Sequence, residues 1–262
     1  MDPPWAIRIL AAAMCILIVA RMLLARRGKD YFIRRIPGID AIEETVGRAT
    51  ETGRPVLFSP GMGAFDNMQT IAGLAVMAWV ARRCVQMSVR MLVAIAEPVV
   101  ISAADNILFD AFRQEGRESE YRPSDVFFFG RDENAYAAGV IGLLTREKVA
   151  AAYYFGGYGF ETLLMAETGN RVGAIQVAAT ADFFQIPFFL CACDYTLIGE
   201  ELYAASAYLS RDPIQVGGVS GQDFAKAILL AIIIAGSLAG LWLALSGKGG
   251  AVLNPVEGIL GR

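Results

Sequence analysis

The chain contains no histidine among its 262 residues. This absence excludes the Ser-His-Asp and Cys-His arrangements that activate a nucleophile, and it excludes every metal site that needs an imidazole ligand. Cysteine is scarce as well, with four residues in the whole chain. So few cysteines do not make a disulfide framework, which is typical of proteins in a reducing compartment.

The cysteines also fall short of a zinc site. Cys191 and Cys193 form a C-x-C pattern, which we predict on a strand over Pro187–Cys193 with both thiols on one face. Cys84 would add a third thiol, one short of the usual four ligands, and no histidine can complete the set. Buried cysteines acting as small apolar side chains are the simpler interpretation, so we predict no metal site.

Charge is sparse and unevenly placed. Charged residues make up 19% of the chain, and the net charge is −3. Residues 1–35 carry seven basic and two acidic groups, whereas residues 36–225 carry 13 basic and 23 acidic groups. Because an acidic middle region repels phosphates, nucleic acid is not expected as its partner.

The most prominent feature of the sequence is a long apolar stretch near each end of the chain. The segment Ala227–Leu245 has no charge and no proline, and it is about as long as a helix that crosses a bilayer, roughly 20 residues. A second apolar run, residues 5–24, is interrupted by Arg8 and Arg21, whose aliphatic stems can reach the interface. A cleaved signal peptide is the alternative for this run, but its basic residues follow the apolar stretch instead of preceding it.

These runs predict four regions and an orientation. The basic cluster at 26–35 follows the first run, and the positive-inside rule then places the main domain in the cytoplasm and both termini outside the cell membrane. Anionic lipid headgroups could also contact this cluster, but topology alone explains it. Membrane lipids are expected partners of the two apolar segments. The predicted regions are an anchor over 1–27, a domain over 28–225, a membrane helix over 226–246 and a tail over 247–262.

Between the apolar runs, short strand-like stretches alternate with helical ones. The strand-like stretches are continuous apolar runs, which is typical of strands buried on both faces. This pattern predicts an α/β domain with three layers, a Rossmann-like parallel sheet covered by helices on both faces. The predicted strands are 55–58, 89–96, 126–129, 149–155, 174–179 and 187–193.

Several local boundaries can also be predicted. Asp40 has the position of a helix N-cap, with an acidic residue three positions later. Gly169 is placed to end a helix that starts at Glu161. The last helix of the domain is predicted over Ile198–Leu209. The segment Ile214–Asp223 contains three glycines and is predicted as a linker into the second membrane helix.

Two glycine-rich turns follow predicted strands, where open parallel sheets usually bind ligands. In the first turn, Ser59, Gly61 and Gly63 could direct backbone N–H groups at an anion beside a helix N-terminus. The turn lacks the Gly-Lys-Ser/Thr of a P-loop, and Asp66 would repel an anion. A purely structural tight turn is the alternative.

The second turn combines glycines with aromatic residues. Gly156, Gly157 and Gly159 could line a flat ligand, with Glu161 accepting a hydrogen bond from it. A structural turn is again the alternative.

A third candidate is a dense polar group near the end of the domain. Asp194, Thr196, Glu200 and Glu201 could do acid–base work or bind a cation if they lie together. A hydrogen-bonding network at the sheet edge is the alternative.

The second membrane helix carries a small-residue motif. Gly236 and Gly240 form G-x-x-x-G, a spacing that lets two helices approach closely. We expect them to contact either the first membrane helix or another copy of the chain.

Four stretches of the chain also resemble a known group of proteins: Ile36–Thr50, Arg54–Phe58, Ala166–Asn170 and Cys193–Ser210. They are similar to an uncharacterised family of prokaryotic two-span membrane proteins that carries a domain of unknown function. The resemblance covers most of residues 36–225. It implies a membrane-associated protein but no known reaction, so it suggests no catalytic residue and no cofactor.

Two functions fit these features. The first is a scaffold or structural subunit that self-assembles, or joins a membrane complex, through its cytoplasmic domain. The alternative is a membrane-tethered enzyme or sensor that binds a nucleotide or another small ligand at the glycine turns.

Overall fold

The computed structural model describes residues 5–27, 37–210 and 213–245. The chain divides into two compact units, one over residues 34–210 and the other from the two terminal regions, 1–33 with 211–262. The predicted tail 247–262 and residues 28–35 of the basic cluster lie outside the described residues.

The described residues form nine helices and six strands, with two short 3₁₀ turns before the third strand. The helices are α1 Trp5–Arg26, α2 Pro37–Thr52, α3 Met68–Gln86, α4 Pro98–Gln114, α5 Glu133–Glu147, α6 Thr162–Val172, α7 Ile186–Ala192, α8 Glu201–Ser210 and α9 Pro213–Leu245. The strands are β1 Val56–Ser59, β2 Met91–Ile95, β3 Val126–Phe128, β4 Ala151–Phe155, β5 Ile175–Thr180 and β6 Tyr195–Ile198.

All six strands are parallel and lie in the order β3-β2-β1-β4-β5-β6. This is the strand order of dinucleotide-binding Rossmann folds, in which the order reverses between β1 and β4. Ser59, the last residue of β1, pairs with Tyr154 of β4. The predicted α/β class and parallel sheet are therefore confirmed.

Helices cover both faces of the sheet. Alternate strand residues point to opposite faces, so Phe58 and Tyr153 pack under α2, α3, α4 and α8, while Leu57 and Tyr154 pack under α5, α6 and α7. Because both faces are covered, β1, β2 and β4 are buried along their whole length. This burial explains their uninterrupted apolar sequences.

The predicted strand Pro187–Cys193 is wrong, because these residues form most of α7 and the sixth strand follows them. Pro187 lies in the first helical turn, where the backbone N–H groups have no partner within the helix, so the proline removes no helical hydrogen bond. The C-x-C pattern consequently does not lie on a strand. Cys193 packs on one face of the sheet and Cys84 lies buried on the other, so the thiols do not converge. Burial raises the pKa of each of these two thiols to about 12.

Three predicted boundaries are also wrong. Asp40 is not an N-cap, because α2 already begins at Pro37, a favoured first helical residue. Gly169 lies inside α6, and the helix ends at Gly173 with a left-handed φ of +72°. Ile198 ends β6 instead of starting the last helix of the domain.

The predicted linker over residues 214–223 is wrong as well, because it forms the first part of α9. Its glycines pack against α1. A Cβ added at Gly217 would lie 2.7 Å from the Cβ of Ala25, and one added at Gly221 would lie 3.0 Å from the Cα of Ile18. This small-residue spacing lets the two helices approach closely in an antiparallel pair.

Arg21 of α1 has partners on α9 in this helix pair. Its guanidinium donates to the Ser220 hydroxyl at 2.9 Å and lies 4.2 Å from the centre of the Phe224 ring. Such contacts stabilise an arginine within a mainly apolar helix.

Both helices of the pair are long and apolar enough to cross a membrane, over Ile7–Arg26 and Pro213–Trp242. With 33 residues, α9 is about 50 Å long, which exceeds the hydrocarbon core of a bilayer, about 30 Å. Gly236 and Gly240 have no atom of a neighbouring group within 4 Å of an added Cβ. Within the described chain, the glycines of α9 that pack closely against α1 are thus the earlier ones, Gly217 and Gly221.

Candidate functional site

The reversal of strand order between β1 and β4 brings both glycine turns together. Each turn leaves the carboxyl end of one of these two neighbouring strands, at the position where Rossmann folds hold their ligands. The predicted ligand-binding residues carried by these turns and the start of α6 are Ser59, Gly61, Gly63, Gly156, Gly157, Gly159 and Glu161.

The two turns pack against each other through their backbones. The Met62 N–H donates to the Gly157 carbonyl at 2.8 Å. Gly61 has a φ of +86°, and a Cβ there would lie 2.9 Å from the Gly157 nitrogen. Gly156 has a φ of +155°, and a Cβ there would lie 2.7 Å from the Pro60 carbonyl carbon. Both glycines are therefore required by close approach and by backbone conformation, and direct contact closes the crevice at this point.

Backbone donors that an anion would need already have partners within the protein. The Gly61 N–H reaches the Ser59 hydroxyl at 3.3 Å, and the Gly156 N–H donates to the Ala179 carbonyl at 3.0 Å. At the start of α3, the Asn67 side chain accepts from the Gln69 N–H at 2.8 Å. The arrangement thus differs from the open N–H cradle of a phosphate-binding turn.

A buried tyrosine network lies under the turns, and sequence reasoning missed it. The Ser59 hydroxyl bonds the hydroxyls of Tyr136 at 2.6 Å and Tyr158 at 2.8 Å. Tyr136 also donates to the Ala94 carbonyl at 3.1 Å. Burial raises the pKa of both tyrosines above the ordinary value, so they stay protonated and act as hydrogen-bonding groups of the core.

Glu161 is the ionisable group of this site with the most unusual surroundings. The residue is 3% exposed, and one of its carboxyl oxygens accepts from the Gly159 N–H at 2.8 Å. The other oxygen has no hydrogen-bond partner among the described residues. Burial raises the pKa of Glu161, and the nearby Glu133 carboxylate raises it further. Both carboxyl groups approach Gly159, where a Cβ would lie 2.5 Å from Glu133 Oε1 and 2.7 Å from Glu161 Oε2.

Large apolar side chains are exposed around these turns, at the carboxyl ends of the strands. Phe160, Phe183 and Phe184 are 82%, 86% and 81% exposed. At about 200 Å² for each ring, they expose about 500 Å², comparable to the largest apolar patch of a typical monomer. We call the exposed apolar residues of this region the strand-end face: Phe65, Met68, Phe160, Leu163, Leu164, Phe183 and Phe184.

Hydrogen bonds connect the loops that carry the strand-end face. The Gln69 side chain, in the first turn of α3, accepts from the Ala181 N–H at 2.9 Å in the loop after β5. Thr162, which follows the second glycine turn, donates to the Gln185 side chain at the end of the same loop. The loops after β1, β4 and β5 thus form one connected surface. In contrast, the described loops that precede the strands carry no large exposed apolar side chain.

The predicted polar group is divided between the two ends of β6. Asp194 precedes the strand and accepts from the Gln176 N–H at 2.7 Å. Thr196 lies within the strand and donates to the Phe189 carbonyl at 3.3 Å. Glu200 and Glu201 follow the strand. The length of β6, roughly 13 Å at 3.3 Å per residue, therefore separates them from Asp194. These groups therefore do not form one site.

Two cavities lie away from the glycine turns. One of about 400 Å³ lies near the start of β2 and is lined by Arg90, Arg117 and Asp125 among others. The second, of about 360 Å³, lies between α3 and α4 beside Trp79. Among the described residues, no group of three or more cysteine or carboxylate side chains is placed to hold a metal ion.

The fold and its surface define a class: an α/β domain of Rossmann strand order, flanked by two terminal helices that are long and apolar enough to span a membrane. A family model described as a domain of unknown function, DUF6754, matches residues 4–246, and the chain belongs to this family. No curated protein and no solved structure matches the chain.

Proposed function

We propose that this chain is a membrane-anchored scaffold or structural subunit that self-assembles, or joins a larger membrane complex, through its α/β domain. The strand-end face is the observation that carries this proposal. Exposing several phenylalanine side chains to water is less favourable than burying them. Apolar patches of this size typically mark surfaces that bind another macromolecule.

The closed glycine turns support this function over nucleotide binding. In a nucleotide-binding Rossmann domain, the phosphates lie against free backbone N–H groups at the switch point. Here the N–H groups of Gly61, Met62 and Gly156 are bonded within the protein. The place where a Rossmann fold would bind a small ligand is therefore filled by the two packed turns, and the strand-end face lies around them.

The proposal includes a cell-membrane location with the domain in the cytoplasm and both termini outside. Its support is the antiparallel helix pair, which puts the end of α1 and the start of α9 at the same end of the pair. Arg26 and Arg27 lie at that end, as the positive-inside rule requires of a cytoplasmic side. Lipids are then partners of both helices, and the acidic domain does not bind nucleic acid.

The second candidate function is small-ligand binding by an enzyme or sensor, and one observation favours it. The unpartnered carboxyl oxygen of buried Glu161 offers an acceptor beside Glu133. Two carboxyl groups at one point suit a proton or a cationic ligand better than a nucleotide.

The native mass of the full chain, extracted from its membrane with a lipid-retaining polymer, tests the proposal. A scaffold subunit gives a discrete mass above that of the 28.2 kDa chain, either a multiple of it or a sum with other subunits. A lone chain would contradict the proposal. A lone chain that carries a stoichiometric small molecule would favour the second candidate function.

A further inference from the structure

The loops that carry the strand-end face are acidic as well as apolar. Each of the six loops that follow a strand contains one acidic residue, and among these loops there is a single basic residue, Arg131. Arg131 forms an ion pair with the buried Glu97. The six acidic residues are Asp66, Glu97, Asp132, Glu161, Asp182 and Glu200. Glu97 and Glu161 are buried, so the other four carry the negative charge at the surface.

This concentration of charge is specific to one edge of the sheet. The described loops that precede the strands contain equal numbers of basic and acidic residues, including Arg54, Arg90 and Lys148. Much of the net negative charge of the domain loops therefore lies beside its exposed phenylalanines. A surface of this kind attracts cationic groups and repels anionic ones.

We propose that the strand-end face docks a polypeptide whose apolar contact surface is bordered by lysine and arginine side chains. Phe160, Phe183 and Phe184 supply the apolar centre, and the four carboxylates at the surface of these loops pair with the basic border. This inference rests on the proposed function, because it names the chemistry of the partner in the assembly.

The negative charge of these loops makes three other occupants of the strand-end face unfavourable. Nucleotides and anionic lipid headgroups carry the same sign as the loops and are repelled. A second copy that docked through the same face would oppose the acidic loops of both copies, which is unfavourable. A basic-bordered polypeptide gains from both the apolar centre and the charge.

Two model peptides provide a defined probe. One is an amphipathic 14-residue helix of leucine and lysine, and the other is the same helix with glutamate in place of lysine. Binding is measured by fluorescence anisotropy against the full chain in phosphatidylcholine nanodiscs, with binding to empty nanodiscs subtracted. We expect the leucine–lysine peptide to bind at least about tenfold more tightly, and its affinity to fall as salt rises.

Variants connect this binding to the strand-end face. The double variant Phe160→Ser/Phe183→Ser removes two rings that are exposed in the free chain, so the fold is retained and affinity falls by about tenfold or more. Leu190→Ser is the control, because Leu190 is 54% exposed on α7 and lies outside the strand-end face. This control leaves the affinity unchanged.

Three outcomes overturn the inference. The first is equal binding of the two peptides, and the second is an equal effect of the double variant and the Leu190 control. The third is a fall in the native mass of a homo-oligomer caused by the double variant, which would identify a second copy as the occupant while the proposed function stands. A lone chain in its own membrane that still binds the peptide in the expected pattern would refute the proposed function alone.

Discussion

Replacing Gly156 by alanine tests whether the two glycine turns are held together as described. The change adds one methyl group at a backbone with a φ of +155°, a region that glycine alone adopts readily. The new Cβ would lie 2.7 Å from the Pro60 carbonyl carbon and 3.1 Å from the Gly61 nitrogen. Since both are backbone atoms, the turns must separate to admit it.

The expected loss of stability combines two effects. A side chain in this backbone region costs about 1–3 kcal/mol, and forcing an extra carbon into packed backbone costs about 1–3 kcal/mol more. We therefore expect Gly156→Ala to lower the free energy of unfolding by about 2–6 kcal/mol. For a domain of this size, the midpoint of thermal unfolding would fall by about 4–24 °C, measured by circular dichroism of the full chain in mild detergent.

Gly142→Ala is the matched control, with the opposite expected sign. Gly142 lies within α5, and an added Cβ would meet nothing within 4 Å. Alanine there is favoured over glycine by about 0.5–1 kcal/mol, so the control should be slightly more stable. If Gly156→Ala is as stable as the wild-type chain, the packed-turn account is wrong.

Three further changes examine single contacts. Burial raises the pKa of Glu161, so the folded chain favours the protonated carboxyl group. The stability of the chain therefore falls as pH rises from the ordinary glutamate pKa through the raised one. Glu161→Gln should stabilise the chain at pH 7.5 and lose that gain at pH 4, as measured by denaturant titrations at both pH values. Ser59→Ala should cost about 1–2 kcal/mol in the same titration, because it removes the hydroxyl shared by two buried tyrosines; an unchanged midpoint would contradict the network. Gly221→Leu should weaken the helix pair by about 2 kcal/mol in an SDS titration, whereas Gly236→Leu should not; equal effects would refute the described packing.

Sequence reasoning recovered the fold because the strands are buried on both faces. Stretches such as residues 56–58 and Ala151–Phe155 are uninterrupted apolar runs between helical segments, which is a strong signal of a parallel sheet. It failed at Pro187–Cys193, where a short apolar run is equally compatible with a strand or a short helix. It failed at residues 214–223 because glycines that permit helix packing resemble those of a linker.

The site was predicted in part. Both glycine turns were found because each follows a strand, and the strand order then placed them side by side. Their closed backbone contact depends on the distance between segments nearly 100 residues apart, which no local pattern contains. The tyrosine network could not be predicted for the same reason, because Tyr136 belongs to a helix distant in sequence and reaches Ser59 at the end of the sheet. The strand-end face was missed since each phenylalanine resembles a core residue when its own loop is considered alone.

Photo-crosslinking in the native membrane tests whether the strand-end face is covered by another polypeptide. A photoreactive phenylalanine analogue replaces Phe183 in the full chain, and in a second chain it replaces Leu190 as the control. We expect a covalent adduct with a polypeptide from position 183 and none from position 190. Adducts with lipid alone at position 183, or equal adducts at both positions, would contradict it.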